Sequence, residues 1–431
     1  MKTKINDFFN VYILSFATLA LAFTGIISYL SIQYDSKIFK LWKEAYIAIF
    51  FMFYILTLHK RFLLIKDVIY FLYFIFFSCI FLFYNVLSNN PSVLILYQIK
   101  NDVLVLLFAW LMYSYLRQYD YSQLISLSSK LVKLIVWLGT LNAVFGVLEE
   151  LFYEAFLNMI NFSGGWGSSM GLMIFIHAGT IRPIGLQMGF VPYATLCLLT
   201  FILICENSLY QIAPLKKYIL ISFLSFSIIY SHYMTAIIGW SVYCSFYIIR
   251  KLLSKLGFKI RQREKIIYFL LVIMFLFIFY TTNDYSIYDI VHSYFPDKAD
   301  SSIYGRVVSH LAILDDISST FISTIFGAGF GLYGAYNVDS EGLSANIGTI
   351  ATDSTYSYLL GNYGLLVTIL FLLTIVSLYH KIHKNDCFGV SKFILYTIVI
   401  EFFFNNCISD FPINYILIIL TLFSVRLGGE K

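Results

Sequence analysis

Long apolar runs broken by short polar stretches constrain this chain more than any other feature. A helix of about 20 predominantly apolar residues crosses a bilayer core. Twelve candidate runs recur, at about 8–32, 44–58, 67–87, 102–116, 134–152, 186–205, 218–232, 235–249, 266–281, 355–379, 393–409 and 412–425. The second, fourth, seventh, eighth and last are short, and the pair meeting around Ser231–Thr235 also reads as one broken helix. The expectation is an all-α polytopic integral membrane protein of about 12 transmembrane helices, built as a single transmembrane domain over residues 1–431.

Composition agrees. Apolar residues make up 60% of the chain and charged residues only 12%, where a soluble domain carries about 25% charged. No single water-soluble core hides that much apolar surface. A soluble enzyme, a disordered chain, a disulfide-stapled scaffold and a nucleic-acid-binding protein are therefore excluded. The six cysteines are scattered without a CxxC pair, so neither a metal knuckle nor a disulfide framework is read from them.

Basic residues set the expected orientation. With the N-terminus inside, 22 of the 29 Lys and Arg fall in cytoplasmic segments, seven of them between Arg250 and Lys265. The other side keeps Lys37, Lys40, Lys43, Lys100, Arg182, Lys298 and Arg306. Both termini are thus expected in the cytoplasm. Ala20-Leu21-Ala22 is spelled like a signal-peptidase site, but the apolar run continues through Leu30, so the first helix is expected to remain uncleaved. Two outer segments are long. The first, near 153–185, is rich in Gly and Ser; the second, 282–354 between spans 9 and 10, is acidic and expected to be partly helical.

Candidate chemistry faces outward. Arg182 precedes Pro183, ahead of the sixth span. Arg306 opens an amphipathic helix running to about Ile317, with His310 one turn on and on the same face. Two guanidinium groups converging on one site can hold a pyrophosphate through bidentate contacts; the structural alternative is pairing with a neighbouring acid such as Glu150 or Asp300. Gly329 and Gly331 sit in Phe326-Gly327-Ala328-Gly329-Phe330-Gly331-Leu332-Tyr333-Gly334, where Gly-x-Gly-x-x-Gly from 329 to 334 has the Rossmann spelling without a strand–helix unit around it. A tight turn is the default reading there, and an anion cup of successive amides the functional one.

Asp353, in Asp353-Ser354-Thr355-Tyr356, stands where the outer loop re-enters the membrane. It can act as a general base for a hydroxyl or as the helix N-cap. Glu401 lies mid-span, and an ionisable residue at that depth is a functional candidate. Glu149 and Glu150 read as interface markers at the end of the fifth span. His380 and His383 have metal-ligand spacing but sit among lysines in a basic loop, so no metal site is assigned.

Two blocks carry a resemblance. Arg182-Pro183-Ile184-Gly185-Leu186 followed by Pro192-Tyr193-Ala194 resembles the entry to a central span in the O-antigen polymerase and ligase superfamily. Gly305-Arg306, then Phe326 to Gly331, Asp353 to Tyr356 and Gly364-Leu365-Leu366 are similar to its long periplasmic loop and the helix after it. The likeness covers roughly residues 180–380. It departs at Tyr233-Met234-Thr235-Ala236, where many members place Ser-Arg-Thr-Ala, and at Pro192-Tyr193 in place of Pro-Asn. Ligases carry His-Asn at the re-entry, where this chain has Asp353-Ser354; that difference favours polymerase over ligase.

The resemblance implies glycosyl transfer from an undecaprenyl-diphosphate-linked oligosaccharide to a sugar hydroxyl, without metal, nucleotide or other cofactor. Arg182, Arg306 and Asp353 would be catalytic. Tyr356, His310, Gly329, Gly331 and Glu401 would contact substrate. Membrane lipid and a chain-length regulator protein are the candidate partners. The alternatives are an O-antigen ligase, or a lipid-linked oligosaccharide flippase or transporter using Glu401 as its coupling group.

Overall fold

The computed structural model describes residues 2–34, 39, 41–57, 92–159, 175–177, 180–258, 266–267, 270, 272–274, 276, 303–329, 332–333, 354–383, 386–408 and 410–429. Within these, the side chains of 2–6, 32, 92–99, 175–177, 180 and 303–308 lie outside the description.

Among the described residues, helices occupy ten of the twelve apolar runs. Helix α1 (Lys2–Thr18) passes through a π-helical turn, Leu19–Phe23, into α2 (Thr24–Gln33). Next come α3 (Trp42–Thr57), α4 (Ser92–Leu116), α5 (Tyr121–Leu151) and α6 (Tyr153–Met159). A short antiparallel pair, β1 (Phe175–His177) and β2 (Thr180–Arg182), departs from the all-α expectation and sets Phe175 opposite Arg182. Then follow α7 (Phe190–Glu206), α8 (Pro214–Tyr230) and α9 (Met234–Lys255). The break between α8 and α9 is a turn with His232 at φ 52, so these are two helices and not one interrupted span.

The rest of the chain gives α10 (Ile303–Ser318), α11 (Phe321–Phe326), α12 (Thr355–His383) and α13 (Val390–Tyr396). A second π turn, Thr397–Glu401, leads into α14 (Phe402–Phe404), and α15 (Ile413–Gly429) ends the described chain. Among the described residues, four stretches are long and apolar enough to cross a membrane: Asp7–Ser31, Tyr121–Leu151, Met234–Lys255 and Thr355–His383. The architecture is that of an all-α membrane protein. The run at 67–87 and most of that at 266–281 lie outside the described residues.

Local chemistry explains several ends. Asp120 and Gln123 form a reciprocal capping box at the start of α5. Pro214 opens α8, where its missing N–H costs nothing. The interior is aromatic: the Phe9 ring stacks on Tyr115 at 4.3 Å, and Phe50 on Tyr115 at 4.8 Å, tying α1 and α3 to α4. Against α5 packs α7, with Tyr193 and Cys197 fully buried.

Candidate functional site

The segment after Arg182 is held by α5. The Glu149 carboxylate accepts the Ile184 and Gly185 amides at 2.9 and 2.8 Å, and the Asn142 side-chain oxygen accepts the Leu186 amide at 2.9 Å. Gln187, fully buried, donates its side-chain amide to Leu21 O at 2.7 Å inside the first π turn, and Gly25 N donates to Leu186 O at 2.9 Å. A π turn spaces its hydrogen bonds one residue wider than an α-helix, and here Leu21 turns its carbonyl to another element. Glu149 is therefore a buried clasp. Its sequence neighbour, Glu150, meets His232 at 3.3 Å.

Arg182 itself lies over the Phe190 ring, 5.0 Å from its centroid. Phe190 in turn meets the Tyr233 ring edge-on at 5.7 Å. Tyr233 is buried beside Glu401 and Asp410. Glu401 belongs to the second π turn, is 1% exposed, and accepts from the Thr195 hydroxyl at 3.0 Å. The N-terminal ends of α7, α9 and α12 thus meet the C-terminal end of α13–α14.

The first turn of α12 is the hub. Ser354 donates its hydroxyl to Phe402 O at 3.0 Å, and Thr355 donates to Asn405 O at 2.7 Å. Tyr356 donates to Ile398 O of the second π turn at 2.7 Å, with its ring against Phe402 and Phe403. Ser357 hydrogen-bonds His310 Nδ1. Tyr358 donates to Asp102 of α4 at 2.7 Å. Five consecutive residues therefore reach out to other parts of the fold.

Ser354 also takes the N-cap position: its hydroxyl accepts the Ser357 amide at 3.4 Å and its carbonyl the Tyr358 amide at 2.9 Å. Asp353 lies outside the described residues, as does Gly331. The cap that was one of the two readings of Asp353 is occupied by its neighbour.

His310 brings α10 onto this turn. Burial holds its imidazole below the ordinary histidine value, favouring the neutral ring. Arg306 is one helical turn earlier on α10; its side chain is outside the description. Gly329, at φ 115, follows Gly327 in a loop pressed against α12. Ala328 N donates to Gly361 O at 2.8 Å, and the Asn362 side chain donates to Tyr333 O at 2.8 Å. A Cβ on Gly327 would stand 2.6 Å from Asn362 C, and one on Gly364 2.3 Å from Ile325 O. These glycines permit backbone-to-backbone docking.

Sequence reasoning missed Glu149, Asn142, Thr195 and Ser357. A signal was present for the first two: Gly139, Asn142, Gly146 and Glu149 follow helical spacing along one face of α5. Gly139 abuts Thr200 and Gly146 abuts Tyr193, both on α7. Among the described residues, no group of three or more His, Cys, Asp or Glu is placed to hold a metal ion. Compared with known proteins, the chain matches no protein-family profile and no curated protein.

Proposed function

We propose that the chain is a glycosyltransferase that polymerises undecaprenyl-diphosphate-linked oligosaccharide repeat units into a surface polysaccharide, such as O-antigen, capsule or exopolysaccharide. It would work on the outer face of a bacterial cytoplasmic membrane, with twelve spans and both termini inside. The observation that supports this most is the contact between His310 and Ser357. It seats the helix that carries Arg306 on the turn immediately after Asp353, so two motifs of the second family-like block converge.

In the transfer, a sugar hydroxyl attacks the anomeric carbon of the lipid-linked chain. The new glycosidic bond forms as the bond to the diphosphate oxygen breaks, and lipid diphosphate leaves with the bonding electrons. Arg182 and Arg306 would offset the charge that grows on that leaving group, where preorganised cations lower the barrier most. Asp353 would take the hydroxyl proton. Tyr356, His310, Gly329, Gly331 and Glu401 would shape the surroundings, with the hydroxyl of Tyr356 held by Ile398 O and Glu401 by Thr195.

The test is purified full-length protein given lipid-linked repeat units, read as a polymer ladder. Arg306→Ala and Arg182→Ala are each expected to abolish long chains, since a charge-assisted contact to a buried anion is worth about 1.5–3 kcal/mol. Arg306→Lys should fail too, because an ammonium is a point charge without the bidentate fork. Wild-type ladders from both alanine variants would sink the proposal. A single addition to a lipid acceptor would instead identify a ligase, and translocation without bond formation a flippase.

A further inference from the structure

At the other end of α5 lies a cleft of about 280 Å³ between the first turns of that helix and the start of α1. Its depth in the membrane follows from length. Tyr121–Leu151 has 31 residues, about 46 Å at 1.5 Å per residue, against a hydrocarbon core of about 30 Å. Its apolar run begins only near residue 134. The turns carrying Ser122, Ser126 and Lys130 therefore stand at the level of one headgroup layer.

The lining carries one charge of each sign, Asp7 on α1 and Lys130 on α5. Both are exposed and, among the described residues, neither has an ion-pair or hydrogen-bond partner, so they face one cleft without closing on each other. Hydroxyl and amide groups share this lining: Ser122 and Ser126 are exposed, and the Tyr119 hydroxyl donates to Asn10 Oδ1 at 3.1 Å. An unpaired carboxylate and ammonium in one cleft, with neutral donors in the same lining, complement a ligand that itself carries a phosphate and an ammonium a few bonds apart.

We infer that this cleft binds the phosphoethanolamine headgroup of a membrane lipid, with the ammonium on Asp7 and the phosphate on Lys130 and the serine hydroxyls. The site is independent of the transfer chemistry proposed above, which involves the opposite ends of the helices.

Purified full-length protein, delipidated in detergent, is titrated with phosphatidylethanolamine and phosphatidylglycerol and the bound lipid counted by native mass spectrometry. The expected result is at least tenfold preference for phosphatidylethanolamine. Asp7→Asn should erase the preference while phosphatidylglycerol binding persists, and Lys130→Gln should weaken both lipids. Both positions are exposed, and unchanged thermal unfolding verifies each variant before titration. Equal binding of the two lipids by the wild type overturns the inference, as does a preference that survives both substitutions. Soluble phosphoethanolamine competing as well as the intact lipid would also overturn it, by assigning the cleft to a free metabolite.

Discussion

Replacing Gly364 with Ala tests how the loop after α11 is held to α12. Gly364 sits inside α12 at φ 73, ψ −177, a region that L side chains essentially do not occupy and that costs about 1–3 kcal/mol. The added Cβ would also stand 2.3 Å from Ile325 O and 2.4 Å from Gly327 N. Both are backbone atoms that cannot swing aside, and overpacking of this kind adds about 1–3 kcal/mol. The expected cost is about 2–6 kcal/mol, and the least expensive relief is release of the loop. Gly257→Ala is the control: its φ is 79, but nothing lies within 4 Å of the new methyl, so it carries only the conformational term of about 1–2 kcal/mol. Thermal unfolding in detergent gives the two costs, and hydrogen exchange at the Ala328 amide, which is bonded to Gly361 O, reports the docking. Gly364→Ala should lose that protection and Gly257→Ala should keep it. If the two variants unfold alike and both protect Ala328, the docking argument is wrong.

Ser354→Ala should cost about 1 kcal/mol as a lost cap, whereas Asp353→Asn should leave stability alone and slow transfer by about 10²–10⁴; a normal polymerisation rate in the latter would remove Asp353 from the chemistry. Glu149→Ala strips the buried Ile184 amide and the half-buried Gly185 amide of their acceptor, at up to about 1–3 kcal/mol each, and should loosen the 184–187 segment in hydrogen exchange; unchanged exchange there would contradict the clasp. Because burial lowers the His310 value, the unfolded chain binds its proton first as pH falls. The contribution of neutral His310 to stability is therefore full above the ordinary value of about 6.5 and declines below it. His310→Gln should flatten that part of the stability profile, and an unaltered profile would show that another group governs it.

The helices were legible because a bilayer admits few alternatives for an apolar run, and the amphipathic helix expected from Arg306 to Ile317 is observed as Ile303–Ser318. The two π turns were not legible. Leu19–Phe23 and Thr397–Glu401 are apolar stretches, apart from Thr397 and Glu401, with nothing to distinguish them from an α-helix in sequence. What accompanies them is tertiary: a carbonyl in each is bonded by Gln187 or Tyr356, residues far away in the chain. The glycine-rich motif had a legible need for an unusual backbone, but its counterpart, the break at Gly364, lay 35 residues beyond Gly329 and could only be paired with it in space. The clasp role of Glu149 was not legible because a carboxylate at a helix end has a ready solvent explanation, and its amide partners lie 35 and 36 positions away.

The opening of α12 has a mechanical consequence. Successive helical residues point about 100° apart, so Ser354 to Tyr358 send their side chains around the whole circumference of the helix. The bonds they make run to α4, α10, the second π turn and the chain around α14. Turning α12 about its own axis would shear all five together, at about 0.5–1.5 kcal/mol each. A helix pinned in this way is a post and not a piston. A rocking cycle built on α12 would be stalled at its first turn, while a reaction that needs donor and acceptor presented to unmoving groups would be well served. Under the proposed function, the element that parts to admit a polyprenyl tail would then be another helix, sliding past one that stays in place.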